Sequence, residues 1–530
     1  MPSARRRTSR PPLLLALLAA GGVAGGAAAA GVAPAALHAQ AQATTGIVRG
    51  TVVERGGAPV GGAVVTLRNL ETNVTRTVRT SDRGLYVGTL LPLGRYEVSV
   101  RALGYGAAAR RDVVVRLGQV VEVPFALEKV AAELAAVQVT DRADTPVNTS
   151  RTEAAARLSE EAVKGIPNNG RNFLALTLVT PNVAVTQGPD GDVLSVAGQR
   201  GIFNNVSVDG ADFNNPFFGE QRGGQRPAFT FNLDAVQEMV VTTQGANAEF
   251  GRSAGGFVNV ITKSGTNEYA GTVHYFGKNG ALSGDLRGNG VTLDPDFRQH
   301  QLGFTLGGPI VRDRLFFFTA YDQQVYGETK QQTRPRTPQL DSLTGFLRTA
   351  FGGALADDFR PIDRTNDAQV FLAKVDWRVS DRHLFSAKYN FTNSRQENGT
   401  FDVDTWGASA NATERAFSNA LSGQLSSQLG DAVSNEFRFQ LAREDRPREY
   451  DAPTLPGGRD FPDVAMDFGN AFRLGRPFFI PVAYNDTRLQ LLNNVSWVRG
   501  THLFKAGAEV NWVNSSQTFV GFANGRFIFN

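Results

Sequence analysis

The chain runs to 530 residues, too many for one ordinary domain, and sets 54 basic against 50 acidic side chains for a formal charge of +4. Arg5, Arg6, Arg7 and Arg10 supply that excess at the extreme N-terminus, so the remainder is near neutral and lacks the basic footprint of a nucleic-acid binder. Cysteine does not occur, which excludes disulfide frameworks, thiol nucleophiles and cysteine-ligated metals.

Residues 1–43 read as an export signal. The cluster RRRTSR precedes the apolar run PPLLLALLAAGGVAGGAAAAGVAPAAL, and small-residue cleavage options follow at Ala39-Gln40-Ala41 and Ala41-Gln42-Ala43. The alternative is a retained anchor; Gly and Pro dilute the run, however, and no basic stop-transfer flank follows. The pattern points to export in a bacterium.

Residues 46–129 read as a small β-sandwich. Short β-branched runs such as GIVRGTVVE, GAVVTLRNL and RYEVSVRALGY alternate with turn residues at regular spacing. The run SDRGLYVGTLLPLGRYEVSVRALGY resembles the carboxypeptidase regulatory-like domain. The segment contains no histidine, and so no zinc-peptidase ligand set, which leaves a structural or protein-binding role.

Residues 130–150 form a polar linker interrupted by Val137-Gln138-Val139-Thr140. Over 151–267 a compact mixed α/β domain is expected. Ser159 is placed to cap a helix with Glu160 and Glu161 in its first turn, and Pro167 breaks it. A second helical stretch, RNFLALTLV, ends at Pro181; Asp209-Gly210 suits a tight type I′ hairpin turn. The segment LDAVQEMVVTTQGANAEFG reads as a short helix leading into a strand.

Beyond Tyr269 alternation takes over. Phe385, Ala387, Tyr389 and Phe391 share one face against Ser386, Lys388, Asn390 and Thr392; Phe437, Phe439 and Leu441 oppose Glu436, Arg438 and Gln440; Phe504, Ala506, Ala508, Val510 and Trp512 oppose Lys505, Gly507, Glu509 and Asn511. A soluble sandwich alternates too, so connection lengths decide. Short links (GGPIVRDR, SDR, GDAV, RGT) alternate with long ones over 322–368, 393–415 and 443–485, as a membrane barrel with short periplasmic turns and long external loops requires. In lipid every backbone polar group must be paired, so such strands belong to a closed barrel.

The blocks IPNNGRNFLALTLVTPNV, NVSVDGADFNNP, NAEFGRSAGGFVNVITKSGTNEYAGTVHYF and LGGPIVRDRLFFFTAYD, in this order, resemble the TonB-dependent outer-membrane receptors of the Oar-like group, which carry a regulatory-like domain first. That resemblance implies a mostly β chain: an N-terminal β-sandwich, a mixed α/β plug over 151–267 and, over 268–530, the first part of an antiparallel transmembrane β-barrel. It implies an outer-membrane location with the sandwich and plug accessible from the periplasm, and energy from the TonB–ExbB–ExbD complex. Roughly ten strands are counted here where plugged transporters use about 22, so the barrel is expected to be partial and the strands to form an open, curved half-wall around the plug. The plug motif falls on Asn169, Gly170, Arg171, Asn172, Phe173, Asp209, Gly210, Gly251, Arg252, Gly255 and Gly256. The glycines of FGRSAGG would let the end of the plug turn and pack tightly in the lumen, with YAGTVHYFGK as the first barrel strand. Val137, Gln138, Val139 and Thr140 stand where the family carries its TonB box, open to addition as an edge strand on a partner sheet; a linker strand packing on the sandwich or the plug is the alternative.

Other motifs have plainer readings. Gly251-Arg252-Ser253-Ala254-Gly255 fits the G-x-S-x-G elbow, but strand-like FVNVITK follows where a helix is needed. The five histidines are scattered, Asp190, Asp192, Asp209 and Asp212 lack EF-hand spacing, and no cofactor is expected. Buried structural pairing is expected for Arg171, Asn172 and Arg252. Three functions stand: TonB-driven uptake of a large or scarce solute (oligosaccharide, peptide or chelated metal); a structural or adhesive outer-membrane protein that binds a partner through the sandwich; and an exported enzyme, for which no catalytic constellation is found. The solute itself is not legible, because external loops set it.

Overall fold

The computed structural model describes residues 43–129, 137–138 and 154–530, apart from 169, 189–190, 218–220, 223, 225–226, 285, 289–290, 294–295, 331–336, 352–357, 359, 400–406, 451–453, 456–457, 467–471, 501 and 530. All of the expected leader except Ala43 lies outside the described residues.

Eight short strands come first: Gly46–Glu54 (β1), Val64–Asn69 (β2), Thr75–Arg79 (β3), Leu85–Leu91 (β4), Gly94–Arg101 (β5), Ala108–Val115 (β6), Val120–Glu122 (β7) and Phe125–Leu127 (β8). One sheet has the order β4-β1-β7, with β8 also on β1; the other runs β3-β2-β5-β6. Alternate residues Val48, Val52, Val65, Leu67, Val98 and Val100 meet fully buried between them. Buried tyrosines keep their polar tips satisfied, Tyr86 donating to Val123 O at 2.6 Å and Tyr96 to Pro92 O at 2.8 Å. The two-residue strand Val137–Gln138 (β9) then lies parallel on the free edge of β6.

The next body comprises Ala154–Ser159 (β10), the helix Glu160–Gly165 (α1), Val183–Gly188 (β11), Gly191–Val196 (β12), Asn205–Val208 (β13), Ala211–Asp212 (β14), Val236–Gln244 (β15) and Phe257–Thr262 (β16). Its main sheet has the order β10-β15-β16-β13-β14, with β11 and β12 as a separate hairpin. Ser159 caps α1 by accepting from Ala162 N, and Glu160 and Glu161 occupy its first turn. The stretch expected as a second helix winds more tightly, as 3-10 turns over Phe173–Val179, with Asn172 Oδ1 accepting from Leu174 N at 3.1 Å. Phe173 is thereby driven into the core, edge-on to Phe213 and Phe231 at 6.4 and 5.9 Å.

Around this body stands a wall. In chain order come Ala270–Asn279 (β17), the small hairpin Leu286–Gly288 (β18) and Val291–Leu293 (β19), Phe297–Val311 (β20), Leu315–Lys330 (β21) and the helix Pro338–Phe351 (α2). Ile362–Ser380 (β22), His383–Glu397 (β23), Ala412–Gln428 (β24) and Val433–Tyr450 (β25) follow. After the short pieces Thr454–Leu455 (β26), Arg459–Asp460 (β27), Asp463–Met466 (β28) and Phe472–Leu474 (β29) come Val482–Arg499 (β30), His502–Phe519 (β31) and Arg526–Phe529 (β32). Nine strands pair antiparallel in the order β17-β20-β21-β22-β23-β24-β25-β30-β31, an open sheet with β17 and β31 at its edges.

The wall is inside-out. In β23 the buried residues are Lys388, Asn390, Thr392 and Ser394, and in β25 they include Glu436, Arg438 and Gln440, while Tyr389, Phe437 and Leu441 on the opposite faces are exposed. A soluble sheet buries its apolar face; this one buries its polar face and offers aromatic and aliphatic side chains outward, as a lipid-facing sheet does.

Two sequence expectations need correction. Among the described residues the wall has nine strands, because β32 leaves the wall and pairs parallel with β28 in a long connection. The long connections are also shorter than expected: β20 to β31 of the wall run 15 to 19 residues, beyond the 9–11 or so that cross a bilayer. Their outer ends are polar, so the apolar alternation fades before the hydrogen-bonded ladder stops. One external connection also carries α2, which the apolar pattern did not announce.

Phe437→Arg, in the outward apolar band, is expected to cost about 2–4 kcal/mol in urea-monitored folding into lipid vesicles. An unchanged transition would mean that this face does not meet lipid.

Candidate functional site

The inner body touches the wall through a seam of buried charge, which includes the β13–β14 turn. Asp209 and Gly210 have φ of 50° and 71°, both left-handed as a type I′ turn demands. Glycine is required at the second position for space as well: a Cβ there would stand 2.6 Å from Arg438 Nη1 and 2.9 Å from Thr44 Cγ2. The turn aims the Asp209 carboxylate at Thr262 and the wall. Thr262 N and Oγ1 donate to it at 2.8 and 2.7 Å, and Lys388 Nζ at 2.7 Å. Lys374, the cross-strand partner of Lys388, donates to Thr262 O at 3.2 Å. Like charges facing across a ladder repel, so the two ammonium groups need the anion the turn supplies. Burial opposes ionisation of Asp209, but the charges of Lys388 and Lys374, with the Lys388 and Thr262 hydrogen bonds, outweigh it and hold the carboxyl well below its ordinary range.

Three further clusters continue the seam. Asp212, on β14, takes Arg488 Nη1 at 2.5 Å and Arg252; burial pushes its pKa up, but these guanidinium groups prevail and hold it low. Arg171, left-handed at φ 56°, reaches Asp234 at 2.7 Å and lies over the Phe276 ring at 4.7 Å, while His274 of β17 bridges Asp234 and Asp322 at 2.7 and 3.4 Å. Glu249 takes Arg438 at 3.2 Å, Asn494 at 2.9 Å and Lys505, and Arg438 also holds Glu436 at 2.8 Å. Direct apolar contact among the described residues is made with β21 and β22: Phe318, Ala320 and Leu372 join the inner body's core, and Ala368 and Val370 pack on Phe229. Cavities flank the seam, one of about 400 Å³ beside Arg171, Asp234 and His274 and one of about 190 Å³ near the Asp209 turn.

The structure brings Arg171, Asn172, Phe173, Asp209, Gly210 and Arg252 to the seam or the core beside it. Asn169, Val139 and Thr140 lie outside the described residues, whereas Gly170 (φ 87°) sets the loop that presents Arg171. The tight-packing argument holds for Gly255 and Gly256, where a Cβ would meet Asn204 Oδ1 at 2.3 Å and Val196 Cγ1 at 2.5 Å. It fails for Gly251, which has open space around it; there the carbonyl matters, accepting from Asn205 Nδ2 at 2.7 Å. Ser253 donates to Gly256 O at 2.8 Å and is followed by β16, not by a helix. Val137 and Gln138 occupy the sandwich edge. Sequence reasoning missed the wall's half of the seam (Lys374, Lys388, Arg438, Arg488 and His274). Its one legible signal is charge on the inward face of alternating strands.

Comparison with known proteins accords with this architecture. Residues 47–128 match the carboxypeptidase regulatory-like domain, and residues 261–365 and 349–530 match the outer membrane beta barrel domain. The TonB-dependent transporter Oar of Myxococcus xanthus is 30% identical over 304 residues, 55% of this chain and 28% of that protein. Among solved structures, the outer membrane transporter YddB from Escherichia coli superposes with a TM-score of 0.50 at 12% identity, over 68% of this chain and 48% of that one, a likeness of fold. The chain thus spans less than half the length of either relative.

Asp209→Asn removes the anion shared by two buried lysines and is expected to destabilise the inner body by about 3–5 kcal/mol. Because the folded carboxyl titrates below its ordinary value of 3.8, its stabilisation is complete above that value and is lost as pH falls through it towards the folded pKa. Urea titrations of the parent between pH 3 and 7 should show this acid-side loss, and the variant should lack its Asp209 share.

Proposed function

We propose a function from one premise: the chain belongs to the outer membrane β-barrel domain family. The protein acts in the outer membrane as a TonB-dependent receptor in which the sandwich comes first, the inner body is the plug and the nine strands are wall. It takes up a large or scarce solute such as an oligosaccharide, a peptide or a chelated metal, and catalyses no reaction. Short turns and sandwich face the periplasm, and long connections face outward.

The observation that carries this reading is the character of the seam. Arg171, Asp209, Asp212 and Glu249 meet the wall through ion pairs and hydrogen bonds, and among the described residues direct apolar contact is limited to a few residues of β21 and β22. A buried pair contributes little net stability against its hydrated alternative, because each partner regains water on separation. Such an interface holds its plug in one register yet can be parted and remade, as transport past a plug requires. The relative Oar is named a TonB-dependent transporter, which supports the same reading.

Energy enters through TonB, ExbB and ExbD, and the coupling segment is 137–140. An extended segment added to a partner's sheet edge is held by main-chain hydrogen bonds whatever its side chains. Val137 and Gln138 pair with Ala108 and Ala109 on the protein's own sandwich, and coupling requires release of that pairing.

Val139→Pro removes a backbone donor from this segment. Purified protein titrated with pooled ferric siderophores, glycans and peptides identifies the solute that binds. The variant should bind that solute as the parent does, while accumulation in cells falls to the level of parent cells treated with a protonophore. Normal accumulation by the variant would remove the segment from the coupling role, and protonophore-insensitive accumulation by the parent would overturn energised uptake.

A further inference from the structure

The sandwich is not tethered loosely ahead of the plug; it is seated across the short-turn end of the wall. Three successive turns hold it. Asp313, between β20 and β21, accepts from Asn73 Nδ2 at 2.8 Å and from Asn267 Nδ2 at 2.7 Å. Beside the β22–β23 turn Arg378 donates to Thr75 Oγ1 at 3.0 Å. At the start of β25 the Ser434 hydroxyl meets that of Thr89 at 2.9 Å, both residues buried. The plug is engaged as well: Leu117 N donates to Glu238 Oε2 at 3.2 Å, Asn267 N to Glu71 O at 3.0 Å, and Leu117 and Leu93 pack on Val240 and Ile261 of β15 and β16.

The residues just ahead of β1 complete the attachment. Residues 43–45 run between plug and wall. Asn259 Nδ2 of β16 donates to Ala43 O at 2.5 Å, Thr44 Oγ1 donates to Glu436 Oε1 of β25 at 2.9 Å, and Gln424 Nε2 of β24 donates to Thr44 Oγ1 at 3.1 Å. Ala43 and Thr45 are buried, and Thr44 Cγ2 lies against the Asp209–Gly210 turn. This short strap ties the sandwich to the pivot of the seam.

We propose that the sandwich is a lid on the plug, latched by Thr44 and Thr45, and that the plug opens toward the short-turn end only after the lid has lifted. The sheet β15–β16 and the strand exit after Thr262 lie beneath the sandwich, so displacement in that direction first breaks the Leu117, Glu71 and Thr89 contacts. The lid rests on the reading of the inner body as the plug, and its lifting is required whether or not TonB supplies the force.

A chain without cysteine allows a direct test, because Thr89→Cys with Ser434→Cys creates a single possible disulfide. Amide hydrogen exchange is followed by mass spectrometry in peptides covering Val236–Gln244 and Phe257–Thr262 of the purified protein. Oxidation should slow exchange there about tenfold or more relative to the reduced form, reduction should restore it, and Thr44→Val should speed it severalfold. Equal exchange in the oxidised and reduced forms would overturn the lid, as would failure of a folded double variant to form the disulfide. A single-cysteine comparison is independent of that variant's folding. Leu117→Cys, on the underside of the lid against Val240 and Ile261, should react with a hydrophilic maleimide far more slowly than Leu103→Cys, on the fully exposed part of the sandwich, and equal rates would contradict the seating.

Discussion

Lys374 and Lys388 face each other on neighbouring strands of the wall, with the Asp209 carboxylate of a plug hairpin set between their surroundings. That arrangement states the constraint under which the molecule is built. A sheet that turns its aromatic and aliphatic residues outward has polar and charged side chains on its inner face, and every buried charge there needs a partner. The plug supplies many of them: Asp209 to the lysines, Asp212 to Arg488, Glu249 to Arg438 and Lys505, Arg171 to Asp322 and Asp234 to His274. Wall and plug are therefore halves of one electrostatic design.

The same constraint orders the rest. A left-handed hairpin turn at Asp209 and Gly210 delivers the anion, and the hydroxyl of Thr262 fixes that anion from the last plug strand. Close approach at Gly255 and Gly256 lets the chain fold against Asn204 and Val196 before it leaves for the wall. Thr44 reaches Glu436 within the same polar layer, so the sandwich is anchored to the seam rather than only to the turns beneath it. Specific register, rather than large net stability, is what such buried pairs provide in this molecule; the apolar core within the plug, with Phe173, Phe213 and Phe231 at its centre, keeps that body compact while the seam positions it.

What the sequence disclosed was what local rules encode. The Ser159 cap and the Asp209-Gly210 turn depend on neighbours within a few residues, and the period-two alternation of Phe385 to Thr392 needs only one strand to be read. The ends of the wall strands escaped because their outer thirds are polar on both faces, so the pattern faded while the ladder continued. The extra strand expected at the end of the chain is real as a strand, but its partner is β28, a tertiary choice that composition cannot convey. Lys388 was visible as a charge on the face opposite Tyr389; that its partner is Asp209, 179 positions away, was not. His274 looked like one of five scattered histidines until the fold set it between two carboxylates. The Asp209-Gly210 turn was thus legible, and its pairing with the wall was not.

The central claim, that plug and wall are held in register by matched buried charges, is tested most directly by a double-mutant cycle across the seam. Asp212→Asn, Arg488→Met and the pair are compared by urea-induced release of the plug, followed through protease cleavage within β13–β16. Matched charges predict strong non-additivity, with the double variant less damaged than the sum of the singles and a coupling energy of about 1–3 kcal/mol. Additive losses, within about 0.5 kcal/mol, would contradict the account.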